Sequence, residues 1–180
     1  MNKDKFWKLI EDSILASQGN FDKQVDILKS HLVKLPVEDI VKFDRIFYEY
    51  YAQTKISTLW AAADLIEGWC SDDRFDYFRA WVIGQGKAVF DLALDNPDNL
   101  ADIDSIILAR KYSGELLMYA ASEAYEEKTG EEDFDELSIE GEESIPYQEI
   151  TLDWVDETKQ AIPSRLKTLL PKLYHRFRKE

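Results

Sequence analysis

Wound at about 100° per residue, the sequence DRFDYFRAWVIGQ from Asp73 to Gln85 spreads Phe75, Tyr77, Phe78, Trp81, Val82 and Ile83 around well over half of a helical wheel. Only a narrow strip containing Asp73, Asp76, Ala80 and Gly84 is left for other contacts. A helix that is apolar on most sides has to be enclosed by other helices. The reading is therefore an all-α fold, a multi-helix domain around a central, mostly buried helix at about 73–85, and the rest of the chain must supply the covering faces.

Those faces are present on both sides. Phe6, Trp7, Ile10 and Ile14 recur at helical spacing over 4–17, and Val25, Leu28, Leu32 and Leu35 over 22–34, where Asn20 or Asp22 can cap the first turn. Pro36, followed by Glu38 and Asp39, opens a helix that carries Ile40, Phe43 and Phe47 to about residue 53. Its aromatic crowding at Phe47, Tyr48, Tyr50 and Tyr51 reads as packing in preference to a stacking surface. Ser57 caps a helix over 58–67 with Leu59, Ala62, Ala63 and Ile66 on one face, and Gly68 stops it. After the central helix, Gly84 and Gly86 each lower helix propensity by about 1 kcal/mol. They mark either a close crossing or a break before a short helix through Val89, Phe90 and Leu94. Asp95 to Asn99 is a loop with a new start near Pro97.

Ile103, Ile106, Ile107 and Arg110 suggest a short helix, and 115–128 a stronger one ending at Thr129-Gly130, with Gly114 separating or bending the two. The segment 131–146, EEDFDELSIEGEESIP, is too acidic and too weakly periodic for a helix and reads as an exposed acidic loop or local disorder. Residues 145–155 alternate in a partly strand-like way without a visible partner. At 164–178 Leu166, Leu169, Leu170, Leu173 and Phe177 form the apolar side of a basic C-terminal helical segment. Pro171 would cost about 3 kcal/mol in a helix interior, which predicts two short helices or a kink. With no repeat and no Pro-, Gly- or Ser-rich linker, residues 1–180 read as a single helical domain.

The net charge of −14 makes the phosphate-backbone contribution to nucleic-acid binding repulsive, which argues against that partner. Residues 123–157 hold fifteen acids and one base, whereas 158–180 hold seven bases and one acid; the large negative charge as a whole fits a basic protein partner. The basic C-terminal face can neutralise acids of the same molecule, bind an acidic partner, or be an ordinary solvated face. No run of about 18 apolar residues is available to span a membrane, and the N-terminus has no signal-peptide core. One cysteine cannot form an internal disulfide; the chain reads as cytoplasmic.

Chemistry-bearing residues concentrate at the start of the central helix. Asp72 and Asp76 are four apart and Asp76 and Arg79 three apart, so the three share an edge. They can form a polar pocket in which Arg79 grips an anion or an acid acts as base, or a cap and ion-pair network that orients a partly buried helix; the latter is the favoured reading. Cys70, just before the helix N-terminus, could have a stabilised thiolate, but neither His31 nor His175 is set as its partner, and a lone cysteine is usually a small buried residue. No zinc, di-iron, calcium, Walker or Rossmann pattern occurs, so no metal and no cofactor is expected.

The run Gly68-Trp69-Cys70-Ser71-Asp72-Asp73-Arg74-Phe75-Asp76-Tyr77-Phe78-Arg79-Ala80-Trp81-Val82-Ile83-Gly84-Gln85-Gly86, preceded by Trp60-Ala61-Ala62-Ala63, resembles a bacterial family of cytoplasmic proteins that carries a domain-of-unknown-function label. Glu123 to Gly130 and Leu170 to Phe177 are similar to later motifs of that family, so the resemblance extends over nearly the whole chain. It implies a single bacterial domain and no particular mechanism. The leading expectation is a non-enzymatic interaction or regulatory module, with toxin neutralisation as one such role, using acidic surface for a basic target. The alternative is a small-molecule-binding protein or hydrolase with a polar pocket at Cys70, Asp72, Asp76 and Arg79.

Overall fold

A computed structural model describes residues 1–104, 106, 112–139 and 149–178. The fold is all-α. Its elements are α1 (Lys3–Ser17), α2 (Phe21–Leu32), α3 (Val37–Gln53), α4 (Ser57–Glu67), α5 (Asp72–Gly84), α6 (Lys87–Asp95), a 3-10 turn (Pro97–Asp102), α7 (Glu115–Met118), α8 (Ala120–Thr129), α9 (Phe134–Ile139), α10 (Pro163–Leu169) and α11 (Pro171–Phe177). Among the described residues the one β pairing is an isolated antiparallel bridge between Val155 and Ala161. Most of the helix expected near Ile103–Arg110 lies outside the described residues.

Local signals account for the helix ends. The side chains of Asn2, Asn20 and Ser71 accept hydrogen bonds from the amides of Lys5, Lys23 and Arg74, at 2.8, 2.9 and 3.4 Å. Gly68 closes α4 at φ 82°, a conformation strained for a residue with a Cβ.

The central helix lies between two half-cores. Ala80 and Ile83 of α5 pack with Phe6, Trp7, Leu28, Phe43 and Phe90 on one side. Phe75, Phe78, Trp81 and Val82 pack with Leu59, Leu65, Leu100, Trp154 and Leu173 on the other. Between Phe75 and Gly84 only Asp76 and Tyr77 are partly exposed. The two glycines that follow divide the alternatives between them. A Cβ at Gly84 would lie 2.6 Å from the Phe21 ring, a close crossing, whereas Gly86 adopts φ 92° and makes the break before α6.

The acidic segment departs from the sequence expectation. The loop expected over 131–146 contains α9, and its later residues, 140–146, lie outside the described set. Long-range partners set this helix, which is why periodicity misses it. Phe134 is buried 5.3 Å from the Tyr125 ring, and the Tyr125 hydroxyl donates to Asp133 Oδ1 at 2.7 Å. At the other end Arg45 Nε and Nη2 donate to the carbonyls of Ser138 and Leu137, at 3.2 and 2.9 Å, supplying donors to a helix C-terminus.

At the C-terminus Pro171 yields two short helices, with Leu170 non-helical between them. Pro171 brings no amide to the first turn of α11, and the carboxylate of buried Asp98 accepts from the next two, Lys172 N at 3.1 Å and Leu173 N at 3.0 Å. Basic side chains here meet acids elsewhere in the chain. Lys172 Nζ pairs with Asp102 at 2.8 Å, and Arg178 Nη2 with Asp64 at 3.4 Å. Asp98→Ala leaves two amides without that acceptor and is expected to lower the unfolding free energy by about 1–3 kcal/mol in urea denaturation. Asp98→Asn, which keeps one acceptor oxygen, should lose less.

Candidate functional site

The structure brings two of the four candidate residues together. Arg79, 4% exposed, donates from Nη1 to Asp76 Oδ1 at 2.7 Å, from Nε to Thr54 Oγ1 at 3.0 Å and from Nη2 to the Tyr51 carbonyl at 2.8 Å. Its guanidinium carbon lies 3.7 Å from the centroid of the Tyr51 ring. Tyr51 and Thr54 are at the C-terminal end of α3, so this arginine ties α5 to a helix end whose carbonyls favour a cation. Asp72 stands exposed in the first turn of α5 and takes no part in the Arg79 contacts.

Cys70 is buried in a separate set of contacts. Its amide donates to Asp64 Oδ1 at 3.2 Å, and its carbonyl accepts from Trp60 Nε1 at 3.1 Å. Burial pushes the Cys70 thiol up, and the carboxylates of Glu67 and Asp64 add to the effect, outweighing Arg74. A thiolate, which the helix dipole could stabilise, is thus opposed by desolvation and by neighbouring negative charge, and Cys70 is buried as a lone cysteine usually is.

A pocket of about 470 Å³ opens nearby, on the α4 side of the central helix. It is lined by Ile66 and Glu67 at the end of α4, Arg74 and Tyr77 on α5, and Tyr112, Ser113 and Glu115. Gly114 holds this last segment against α5, its amide donating to the Tyr77 carbonyl at 2.8 Å. The Tyr112 hydroxyl donates to the Ile106 carbonyl at 2.8 Å and its ring meets Trp81 edge-on at 5.2 Å. Glu67 has its side chain 13% exposed and Arg74 Nη1 at 3.5 Å. Burial pushes its carboxyl up to about 7, only partly countered by Arg74.

Residues 1–127 match the family model described as "Protein of unknown function (DUF4240)". The chain belongs to the DUF4240 family. The match spans α1 to most of α8, and with them Cys70, Asp72, Asp76, Arg79 and every residue lining the pocket. It stops before α9 and the C-terminal helices, so the resemblance expected at Leu170 to Phe177 lies outside the matched residues. No curated protein and no solved structure matches the chain. Among the described residues no group of three His, Cys, Asp or Glu side chains is placed to hold a metal ion, and no helix is long and apolar enough to cross a membrane.

Sequence reasoning missed the pocket acids of this DUF4240 chain. Glu67 falls four residues after Ala63, on the buried side of α4, and that position was the one signal available. Glu115 and Tyr112 reach the pocket through a long-range approach that no local pattern encodes.

The raised carboxyl sets a pH dependence with a defined sign. Its folded-state value lies above the ordinary 4.5, so the fold favours the protonated acid. This contribution is fully present below pH 4.5, is lost as pH rises toward about 7, and is constant above that. Glu67→Gln removes the titration. The expected result is a urea midpoint that declines less between these limits than in the wild type; equal declines would refute the assignment to Glu67.

Proposed function

We propose that this protein is a non-enzymatic interaction module, regulatory or toxin-neutralising in role, which takes a basic protein segment as its partner in the cytoplasm. The observation that carries this reading is a surface of tyrosines and carboxylates around Tyr119. Tyr119 is 53% exposed and Leu116 45%, both unusually open for large apolar side chains. Tyr48 and Tyr77 lie close enough to interact electrostatically with Tyr119. Burial first, then Asp44, Tyr119 and Asp135, push the Tyr48 phenol up to about 12, and Glu115 above all raises Tyr77. Glu115 and the exposed Asp135 thus act on these rings, a combination that suits lysine and arginine side chains through ion pairing and cation–π contact, while Asp44 is buried. Exposed acids continue along the neighbouring helices at Glu126, Glu127, Glu131, Glu132, Asp135 and Glu136. The buried, raised Cys70 thiol supports a non-catalytic role.

Fluorescence anisotropy with a labelled peptide of alternating lysine and arginine provides the test. Binding at low ionic strength should weaken as salt screens the acids, and Leu116→Ala with Tyr119→Ala should weaken it at least about tenfold. Wild-type affinity in the double variant, or no binding at low salt, would refute the reading.

A further inference from the structure

Among the described residues the pocket beside α4 has an imbalance of charge: two carboxylates, Glu67 and Glu115, line it against one arginine. Glu67 is nearly enclosed, yet Arg74 approaches it no closer than 3.5 Å, longer than a strong charge-assisted hydrogen bond. Arg74 is also divided among other contacts. Its side chain is 53% exposed, Nη1 donates to the Trp69 carbonyl at 3.2 Å, and the guanidinium lies 5.9 Å from the Trp69 ring centroid. A largely enclosed carboxylate with so loose a partner is under-compensated. The two tyrosines at the pocket offer aromatic rings, and the Tyr112 hydroxyl is already committed to Ile106.

From these contacts we infer that the pocket binds the ammonium or guanidinium group of a small organic cation, seated against the Glu67 carboxylate, with Glu115 as a second acid and the rings of Tyr77 and Tyr112 as walls. The volume of about 470 Å³ is ample for such a ligand. A cation over tyrosine faces gains further attraction where water is partly excluded. Arg74 can yield its place at modest loss, because it keeps the Trp69 carbonyl, the Trp69 ring and solvent. The elevated Glu67 carboxyl agrees with this picture, since the free protein holds that charge poorly and a bound cation supplies the missing compensation.

The same chemistry can come from a free amine or from a lysine or arginine side chain of a partner, and the test separates the sources. Isothermal titration calorimetry at about pH 8, where Glu67 is ionised, uses 1,5-diaminopentane and arginine amide as probes. The wild type should bind at least one saturably, Glu67→Gln should weaken binding at least about tenfold, and Arg74→Ala should tighten it by removing the resident competitor. Glu115→Gln is the second variant, with a smaller loss, and thermal unfolding checks that each variant is folded. No binding of either probe, unchanged affinity in folded Glu67→Gln, or loss of binding in folded Arg74→Ala would overturn the inference, the last because removal of a competing cation should help a cationic ligand. Competition between a lysine-rich peptide and diaminopentane identifies a partner side chain as the source, and binding of the amine without competition identifies a free ligand. Tyr77 and Glu115 belong to both the pocket and the Tyr119 surface, whereas Glu67 is named only in the pocket, so the Glu67→Gln result tests this inference and the Leu116→Ala, Tyr119→Ala double variant tests the docking reading.

Discussion

Replacing Arg79 with alanine is expected to lower the unfolding free energy by about 3–5 kcal/mol, the range for breaking a buried charged network from one side. The guanidinium is enclosed and distributes its donors over Thr54, Tyr51 and Asp76. Its removal deprives the α3 C-terminus of two donors and opens a space beside Phe75 and Tyr51, whose ring centroids lie 5.6 and 3.7 Å from the guanidinium carbon. Asp76 is the lesser partner, because its side chain is 49% exposed and solvent can replace the arginine. Asp76→Asn should therefore lose no more than about 1 kcal/mol. Arg79→Lys should fall between, since one ammonium cannot span both the Thr54 and Tyr51 contacts. Urea denaturation of the three variants gives the ordering, and an Asp76→Asn loss as large as that of Arg79→Ala would sink the account.

That ordering bears on how far the sequence could be read. The wheel of 73–85 demanded enclosure, and the structure encloses α5 between two half-cores, because burial on nearly all sides is a property of the helix itself. Spacing also placed Asp76 beside Arg79. It could not show that the arginine's other donors reach back to Tyr51 and Thr54, twenty-eight and twenty-five residues earlier. Asp72 illustrates the opposite case: it shares the helical edge yet faces solvent, because a common edge leaves side-chain direction open.

The acidic segment failed as a helix prediction for a related reason. Its charges suppress any apolar period, and α9 is instead held by Phe134 against Tyr125 and by Arg45 at its C-terminal carbonyls. Those partners lie in α8 and α3, beyond the reach of a local window. The pocket was hidden in the same way. Glu67, Tyr77 and Glu115 become neighbours only because the chain around Gly114 is pressed against α5.

That close approach yields the second large effect: Gly114→Ala is expected to destabilise the fold by at least about 3 kcal/mol, at the upper end of overpacking losses. A Cβ there would lie 2.2 Å from the Trp81 backbone nitrogen, 2.5 Å from the Ala80 carbonyl carbon and 2.8 Å from the Ala80 Cβ. Backbone cannot rotate aside as a side chain can, and α5 is held on both sides by the half-cores. Backbone conformation is not the cause, because Gly114 has φ −97°. Gly68 separates the two effects. It has φ 82° and nothing within 4 Å of an added Cβ, so Gly68→Ala should lose only about 1 kcal/mol, from strain alone. Ala80→Gly should not rescue Gly114→Ala, since the contact with Trp81 N remains. Equal urea midpoints for Gly114→Ala and Gly68→Ala, or full rescue by Ala80→Gly, would show that the chain can retreat from α5. A retreat would in turn carry Ser113 and Glu115 away from Glu67, so any diaminopentane affinity of the wild type should fall in parallel with stability.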